Sequence, residues 1–383
     1  MRPLRKIAFL LDEFAVPSPA QQILDRFLIG YPRDGAFHKL EGAEISTYLA
    51  VSVESNFGQR PEEFHLVVAP TAEQAVAGAD AVVIVSRRPG ALANEAFLKI
   101  ALEQAPEGAA CFVHGVLANS LASARDFAAA AAKRHMALLA GTPLSVTWRL
   151  PPVELPPGTP LAEALIVVQV GPQALQATPP SPPATLGGAE LQALEALLPV
   201  IERRRGGESG IRSVRFLEGK SFWKAGEKGL WSWPLLASAL SRSHTPQGDA
   251  VLDGRTQDLV GLGLVPKLAR NPRAWLLEHG DGLRSAILVL DGVVADFNFA
   301  VRAQNGEVVS AQVFRAPPPA EHHFSRLTAV LEDFFHSGQS PWPVERNLLI
   351  AGLLETFGKP SSLTGQRVKT PKLGIAYTLP GTT

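Results

Sequence analysis

The chain has 383 residues, enough for roughly two to three domains. Hydrophobic residues make up 46% and charged residues 19%, a balance that buries a large core and excludes wholesale disorder. Lys and Arg equal Asp and Glu at 36 each, so the formal charge is zero, which argues against a nucleic-acid partner; the single cysteine, Cys111, excludes an intramolecular disulfide.

Strand and helix patterns alternate through the first 150 residues. "IAFLL" reads as a strand. Ser18, Pro19 and Gln21 then form an N-cap, a first helical position and a capping-box partner. Ile23, Leu24, Phe27 and Leu28 share one helical face, and Gly30 stops the helix. "ISTYLAVSV" is the next strand, followed by the helix "TAEQAVAGA" and the apolar strand "DAVVIVS". The helix "NEAFLKIALEQA", the strand "AACFVHGVL", the helix "SLASARDFAAAAAKRH" and the strand "MALLAGTPL" complete the series. Strands this apolar are buried on both faces, and their alternation with helices implies a doubly wound parallel sheet.

The character changes at about residue 150. A Pro-rich crossover leads to the strand "ALIVVQV", a Pro/Ala/Ser loop and the amphipathic helix "AELQALEALLPVIERRR". "IRSVRFLEG", "AWLLEHGDG", "RSAILVLDG", "VADFNFAVRA" and "VVSAQVFRA" then alternate as antiparallel strands do, on a sheet that can be half covered. Helices around "SRLTAVLEDFFHSG" and "VERNLLIAGLLETFG" close the chain. The expected domains are 1–150 and 151–383. The N-terminal basic and apolar stretch ends at Asp12 and Glu13 and reads as a strand rather than a signal peptide, and no apolar run reaches the length of a membrane span, so a cytoplasmic protein is expected.

Three segments carry a family likeness: "TAEQAVAGADAVVIVS", "CFVHGVLANSLASARDFAAAAAKRHMALLAGTPLSVTWR" and "LEDFFHSGQSPWPVERNLLIAGLLETFGKPSSLTGQRVKTP". With the order of elements they make the chain resemble the glucose–fructose oxidoreductase/inositol dehydrogenase (Gfo/Idh/MocA) family, as a divergent member. The resemblance implies a Rossmann-like doubly wound parallel sheet followed by an α+β domain with a large, mostly antiparallel open sheet. It also implies NAD or NADP as cofactor, a sugar or cyclitol as substrate, and a homo- or hetero-oligomer formed through the C-terminal sheet.

The sequence departs from that family where the chemistry lies. The first strand-to-helix turn is "DEFAVPSP", without glycine. Glycines let a backbone approach a diphosphate resting on the helix N-terminus. Here Asp12 and Glu13 bring carboxylates, and Pro17 and Pro19 remove donors. A cofactor bound in this crevice meets Asp12 and Phe14 in the turn, Glu54 after the second strand, and Ser86 and Arg87 after "DAVVIV". The family's Lys after its fifth strand is matched by Gly115, preceded by His114, the one candidate catalytic residue. Its acid/base His is matched by Gln192, which does not exchange protons near neutrality. The thiol of Cys111 lies in an apolar run and reads as a small core residue.

Substrate candidates are Trp148 and Arg149 at the domain junction and the stretch from Ser221 onward. Trp223, with Trp231 and Trp233, reads either as a sugar-stacking platform or as packing, and Lys224 lies beside it. His244, Arg255, Gln257 and Asp258 occupy a long irregular segment of the kind that often carries function. No HExxH or CxxC is present, and His322-His323 is a poor metal pair because neighbouring side chains diverge. Two functions stay open: an NAD(P)-dependent oxidoreductase acting on a sugar or cyclitol hydroxyl with degenerate motifs, or a catalytically inactive homologue that binds a carbohydrate-like ligand or serves as a non-catalytic subunit.

Overall fold

A computed structural model describes residues 3–50, 57–86, 92–153, 155–169, 188–245, 258–359 and 364–381. The chain divides into two compact units: residues 1–147 with 315–351, and residues 148–314 with 352–383. Residues 315–351 pack with the first unit.

In the first unit, β1 (Lys6–Leu11), β2 (Tyr31–Arg33), β3 (Ala36–His38), β4 (Glu44–Leu49), β5 (Val67–Val68), β6 (Ala81–Val85), β7 (Ala110–His114) and β8 (Ala137–Gly141) alternate with α1 (Pro19–Leu28), α2 (Arg60–Glu63), α3 (Ala72–Val76), α4 (Leu92–Gln104) and α5 (Leu121–Lys133). Six strands form a parallel sheet in the order β5-β4-β1-β6-β7-β8. Ile7 through Leu11 and Ala81 through Val85 are completely buried, as strands covered on both faces must be. The helices start where side chains accept the orphan amides: Ser18 from Gln21, Thr71 from Gln74 and Ser120 from Ser123. The Gln21 side chain does not close the expected capping box; its Nε2 donates to Asp25 Oδ2 at 2.6 Å. Gly30 ends α1 at φ 110°, and a Cβ there would stand 2.5 Å from the His38 carbonyl. The β2–β3 hairpin that follows, absent from the sequence reading, is tied to helix His323–Ser337 by Arg33–Asp333 (2.9 Å) and His38–Glu332 (2.7 Å).

The second unit is built on an eight-stranded sheet. Its strands are β9 (Arg149–Leu150), β10 (Leu161–Val168), β12 (Ile211–Glu218), β13 (Arg270–His279), β14 (Arg284–Asp291), β15 (Phe297–Ala303), β16 (Val308–Val313) and β17 (Val368–Lys369), while β11 (Glu208–Ser209) pairs separately with β18 (Ala376–Tyr377). The order is β17-β12-β13-β14-β10-β15-β16-β9, and only β10 and β14 run parallel. Register sorts the side chains onto two faces. Leu165, Val167, Ala274, Ala286, Leu288 and Ala300 lie on one, packed against Phe222, Trp231, Leu235 and Leu236 of helices Gly219–Glu227 and Trp233–Leu240 and the turn between them. Ile166, Phe299 and Ile287 lie on the other with Trp275 and Arg273. That face receives helix Ala189–Ile201, whose Glu190 reaches Arg273 (3.5 Å), and Phe357, stacked on Trp275 at 4.1 Å. The sheet that the sequence reading leaves half covered therefore carries helices on both sides of its centre.

Candidate functional site

The strand order of the first unit reverses between β1 and β6, and ligands of doubly wound sheets bind outside the carboxyl ends of the strands at such a point. The turn from β1 to α1 determines what a phosphate would meet there. Pro17 and Pro19 have no N–H. The Gln21 amide donates to Ser18 Oγ (3.1 Å) and the Gln22 amide to the Ser18 carbonyl (2.9 Å). Ala20 carries the remaining first-turn N–H, and Ala20 is buried. Phe14 is 1% exposed, its ring 4.8 Å from that of Phe57 and 5.1 Å from the Arg60 guanidinium. Arg60 in turn grips Asp25 of α1 with two bonds, 2.6 and 2.7 Å. An aromatic plug thus occupies the turn that glycines would open. Asp12 and Glu13 beside it are half-buried.

A second feature of this end of α1 has no counterpart in the sequence reading. Arg26, buried, donates to the Gln22 carbonyl (2.7 Å), Gln22 Oε1 (2.6 Å), the Ala320 and Glu321 carbonyls (2.6 and 3.2 Å) and Ser325 Oγ (3.0 Å). Gln22 Nε2 donates to the Pro319 carbonyl at 3.1 Å. The segment 319–325 is thereby laced along α1, and burial lowers the Arg26 guanidinium to about 10. Of the described residues, the two cations near the turn are engaged, Arg60 by a carboxylate and Arg26 by carbonyl, amide and hydroxyl oxygens. The residues present do not fit a diphosphate in the glycine-cradled pose.

The ends of β6 and β7 are polar and closed. Ser86 is fully buried and its hydroxyl donates to Asn94 Oδ1, while Asn94 Nδ2 donates to the His114 carbonyl at 3.2 Å. Asn347, from helix Val344–Phe357, accepts the Leu117 amide (2.9 Å) and donates to the Gly115 carbonyl (3.1 Å), fixing the loop that follows β7. The His114 imidazole is 3% exposed, lies 6.4 Å from the Phe324 ring, and its Nδ1 has no hydrogen-bond partner among the described residues. Burial lowers it to about 4, so it is neutral at pH 7. The Cys111 thiol, on the same strand, is pushed up to about 12 by burial and is inert as a nucleophile. Asn94 and Asn347 were legible only as polar residues inside apolar helices.

In the second unit Trp231 is core, its Nε1 donating to the Phe222 carbonyl at 3.1 Å. Trp223 and Trp233 stack on one another at 6.0 Å and pack against that core half-buried. Of the two readings offered for the tryptophans, packing accounts for Trp231 completely. Lys224 and His244 are exposed. The His244 amide donates to Asp296 Oδ2 (2.8 Å), and Asp296 also collects Ser243 Oγ (2.9 Å), Asn298 Nδ2 (2.5 Å) and Gln312 Nε2 (2.7 Å). Asp258 is exposed and accepts the Gly261 amide at 2.8 Å, a turn-closing bond. Trp148 is 42% exposed and Arg149 half-buried on β9. Glu54, Arg87, Arg255 and Gln257 lie outside the described residues.

One constellation escaped the sequence reading. Ser285 Oγ lies 2.8 Å from His279 Nε2, and His279 Nδ1 lies 2.9 Å from Glu208 Oε1, with Arg204 bonded to Glu208 (3.0 Å) and Asp281 (2.6 Å). The arrangement has the connectivity of a nucleophile relay. All of Ser285, His279 and Glu208 are at most 3% exposed, so it clamps β11 to the sheet rather than meeting a substrate. Among the described residues no cluster of three or more potential metal ligands occurs, and no helix is long and apolar enough to cross a membrane.

No family model matches the sequence, and no curated protein does either. Solved structures do match. The myo-inositol dehydrogenase of Lactobacillus casei, in complex with NAD(H) and myo-inositol, is 13% identical, covers 99% of both chains and gives a TM-score of 0.57. GenD2 from gentamicin A biosynthesis, in complex with NAD, is 14% identical over 97% of both chains at 0.58. Biliverdin reductase of Synechocystis, in complex with biliverdin and NADP+, is 13% identical over 94% of this chain and 99% of its own at 0.52. The chain shares the fold of these structures.

Proposed function

We propose that the chain is an oxidoreductase-class protein of the cytoplasm, acting on a sugar- or cyclitol-like hydroxyl, with NAD or NADP bound far more weakly than a glycine-rich turn allows. The observation that carries the class is the classical strand order with its switch point, within a likeness to the inositol dehydrogenase that spans 99% of both chains. Asp12, half-buried, follows β1 at the carboxyl end of the sheet, where the ligands of such folds bind. The β1–α1 turn does not fit the diphosphate in the glycine-cradled pose. The chain's own helices cover both faces at the centre of the second sheet.

A second reading, a non-catalytic polyol binder or subunit, is favoured by a specific observation. Phe14, Ser86 and His114 are all buried, so the crevice exposes none of their side chains to a ligand. Calorimetric titration with NAD, NADH, NADP and NADPH into the millimolar range separates the two. Saturable binding of one of them, weakened in Arg87→Ala, supports the oxidoreductase. Failure of all four, with saturable binding of a cyclitol such as myo-inositol, sinks it in favour of the binder.

A further inference from the structure

The second unit holds a cavity of about 350 Å³ that no part of the proposed reaction uses. It opens where β12 begins, beside β17, the 3-10 turn Pro371–Leu373 and the β13–β14 connection. Its walls are rigid. The Thr370 amide donates to the Arg212 carbonyl (3.0 Å) and Thr370 Oγ1 to the Ile211 carbonyl (2.9 Å). Gly210 presses so closely on the Gly374–Ile375 backbone that a Cβ would stand 2.6 Å from the Ile375 nitrogen. The site is therefore formed before any ligand arrives.

Its chemistry is one-sided. Pro371 gives it an exposed apolar surface over the buried Ile211, and Arg212 and Lys369 are its two charged groups. Among the described residues no carboxylate lines it. Asp281, next to the lining Gly280, is bonded to Arg204. Neither Arg212 nor Lys369 forms an ion pair among the described residues; the Arg212 guanidinium donates to the Gly280 carbonyl, which leaves its other N–H groups available. Two uncompensated cations over a small apolar recess attract an anion, and a recess of this size, at the low end of ligand pockets, takes a compact body.

We propose that this cavity binds a small organic anion, a phosphate or carboxylate carried on a compact apolar ring, with Arg212 and Lys369 on the anion and Pro371 against the ring. Calorimetric titration of the full chain with phenyl phosphate, benzoate, inorganic phosphate and benzyl alcohol tests it. Phenyl phosphate or benzoate should bind saturably and more tightly than inorganic phosphate or benzyl alcohol, and added salt should weaken that binding. Arg212→Ala and Lys369→Ala should each weaken it about tenfold. Lys369 makes no side-chain bond among the described residues, so its variant reports on the ligand even where Arg212→Ala disturbs the loop at Gly280. The proposal is overturned if neither organic anion saturates, if benzyl alcohol binds as well as phenyl phosphate, or if Lys369→Ala leaves the affinity unchanged.

Discussion

Phe14 offers the sharpest check on the closed turn. Its ring is buried to 1%, with Phe57 at 4.8 Å and the Arg60 guanidinium at 5.1 Å. Truncating a buried phenylalanine to alanine costs about 3–5 kcal/mol, cavity included. Within that total, the aromatic pair accounts for about 0.5–1.5 kcal/mol. The cation stacked on the ring contributes a further 0.5–1 kcal/mol, roughly. We expect about 4 kcal/mol for Phe14→Ala. Phe14→Leu keeps most of the apolar volume and forfeits the ring contacts, for about 1–2 kcal/mol. Guanidinium denaturation of the two variants, with dinucleotide titration on the same samples, reads both stability and ligand contact. A loss below about 1 kcal/mol in Phe14→Ala, joined to a loss of dinucleotide affinity in Phe14→Leu, would refute the plug and make Phe14 a ligand-facing residue.

Two further predictions concern pH. Burial pushes the Glu208 carboxyl up, but His279 and Arg204 beside it overrule that and hold it at about 2 against an ordinary 4.5. A group depressed in the fold adds stability above its ordinary value and loses it as pH falls toward the folded one, so the chain should lose on the order of 3 kcal/mol between those limits. Glu208→Gln should be less stable at neutral pH and show a flatter acid limb; an unchanged limb in denaturation curves taken across that range would contradict the assignment. His114 is the converse case: burial lowers it from 6.5 to about 4, the unfolded chain takes the proton first, and stability falls as pH drops through that window. NMR of the imidazole should show no titration near 6.5, and His114→Gln should remove part of the slope between the two values.

The alternating half of the fold was readable because its strands are continuous apolar runs bounded by caps. "IAFLL" and "DAVVIVS" appear as β1 and β6 within a residue or two. Short elements with no periodicity were not readable. The Tyr31–His38 hairpin owes its place to Arg33 and His38 reaching Glu332 and Asp333, about three hundred residues away in the chain. The return of residues 315–351 to the first unit depends likewise on Arg26, whose partners are backbone carbonyls that carry no sequence signature. The missing glycines, Lys and His were visible directly, since absence from a motif is a property of sequence. Phe14 as a plug was not: a phenylalanine in a turn reads the same whether it faces a ligand or Arg60. The Ser285–His279–Glu208 chain was illegible for a related reason, its members coming from three different strands.

The helices that cover the second sheet also divide the chain's chromophores unevenly. Five tryptophans, at 148, 223, 231, 233 and 275, belong to the second unit, and one, Trp342, with Arg346 stacked 4.3 Å above it, to the first. The Trp223–Trp233 stack, with Trp231 4.6 Å from Trp233, is close enough for its indole transitions to couple. Intrinsic emission therefore reports chiefly on one unit while far-ultraviolet dichroism reports on both. Melting the protein under the two signals at once reads whether the halves let go together, without a label or a mutation.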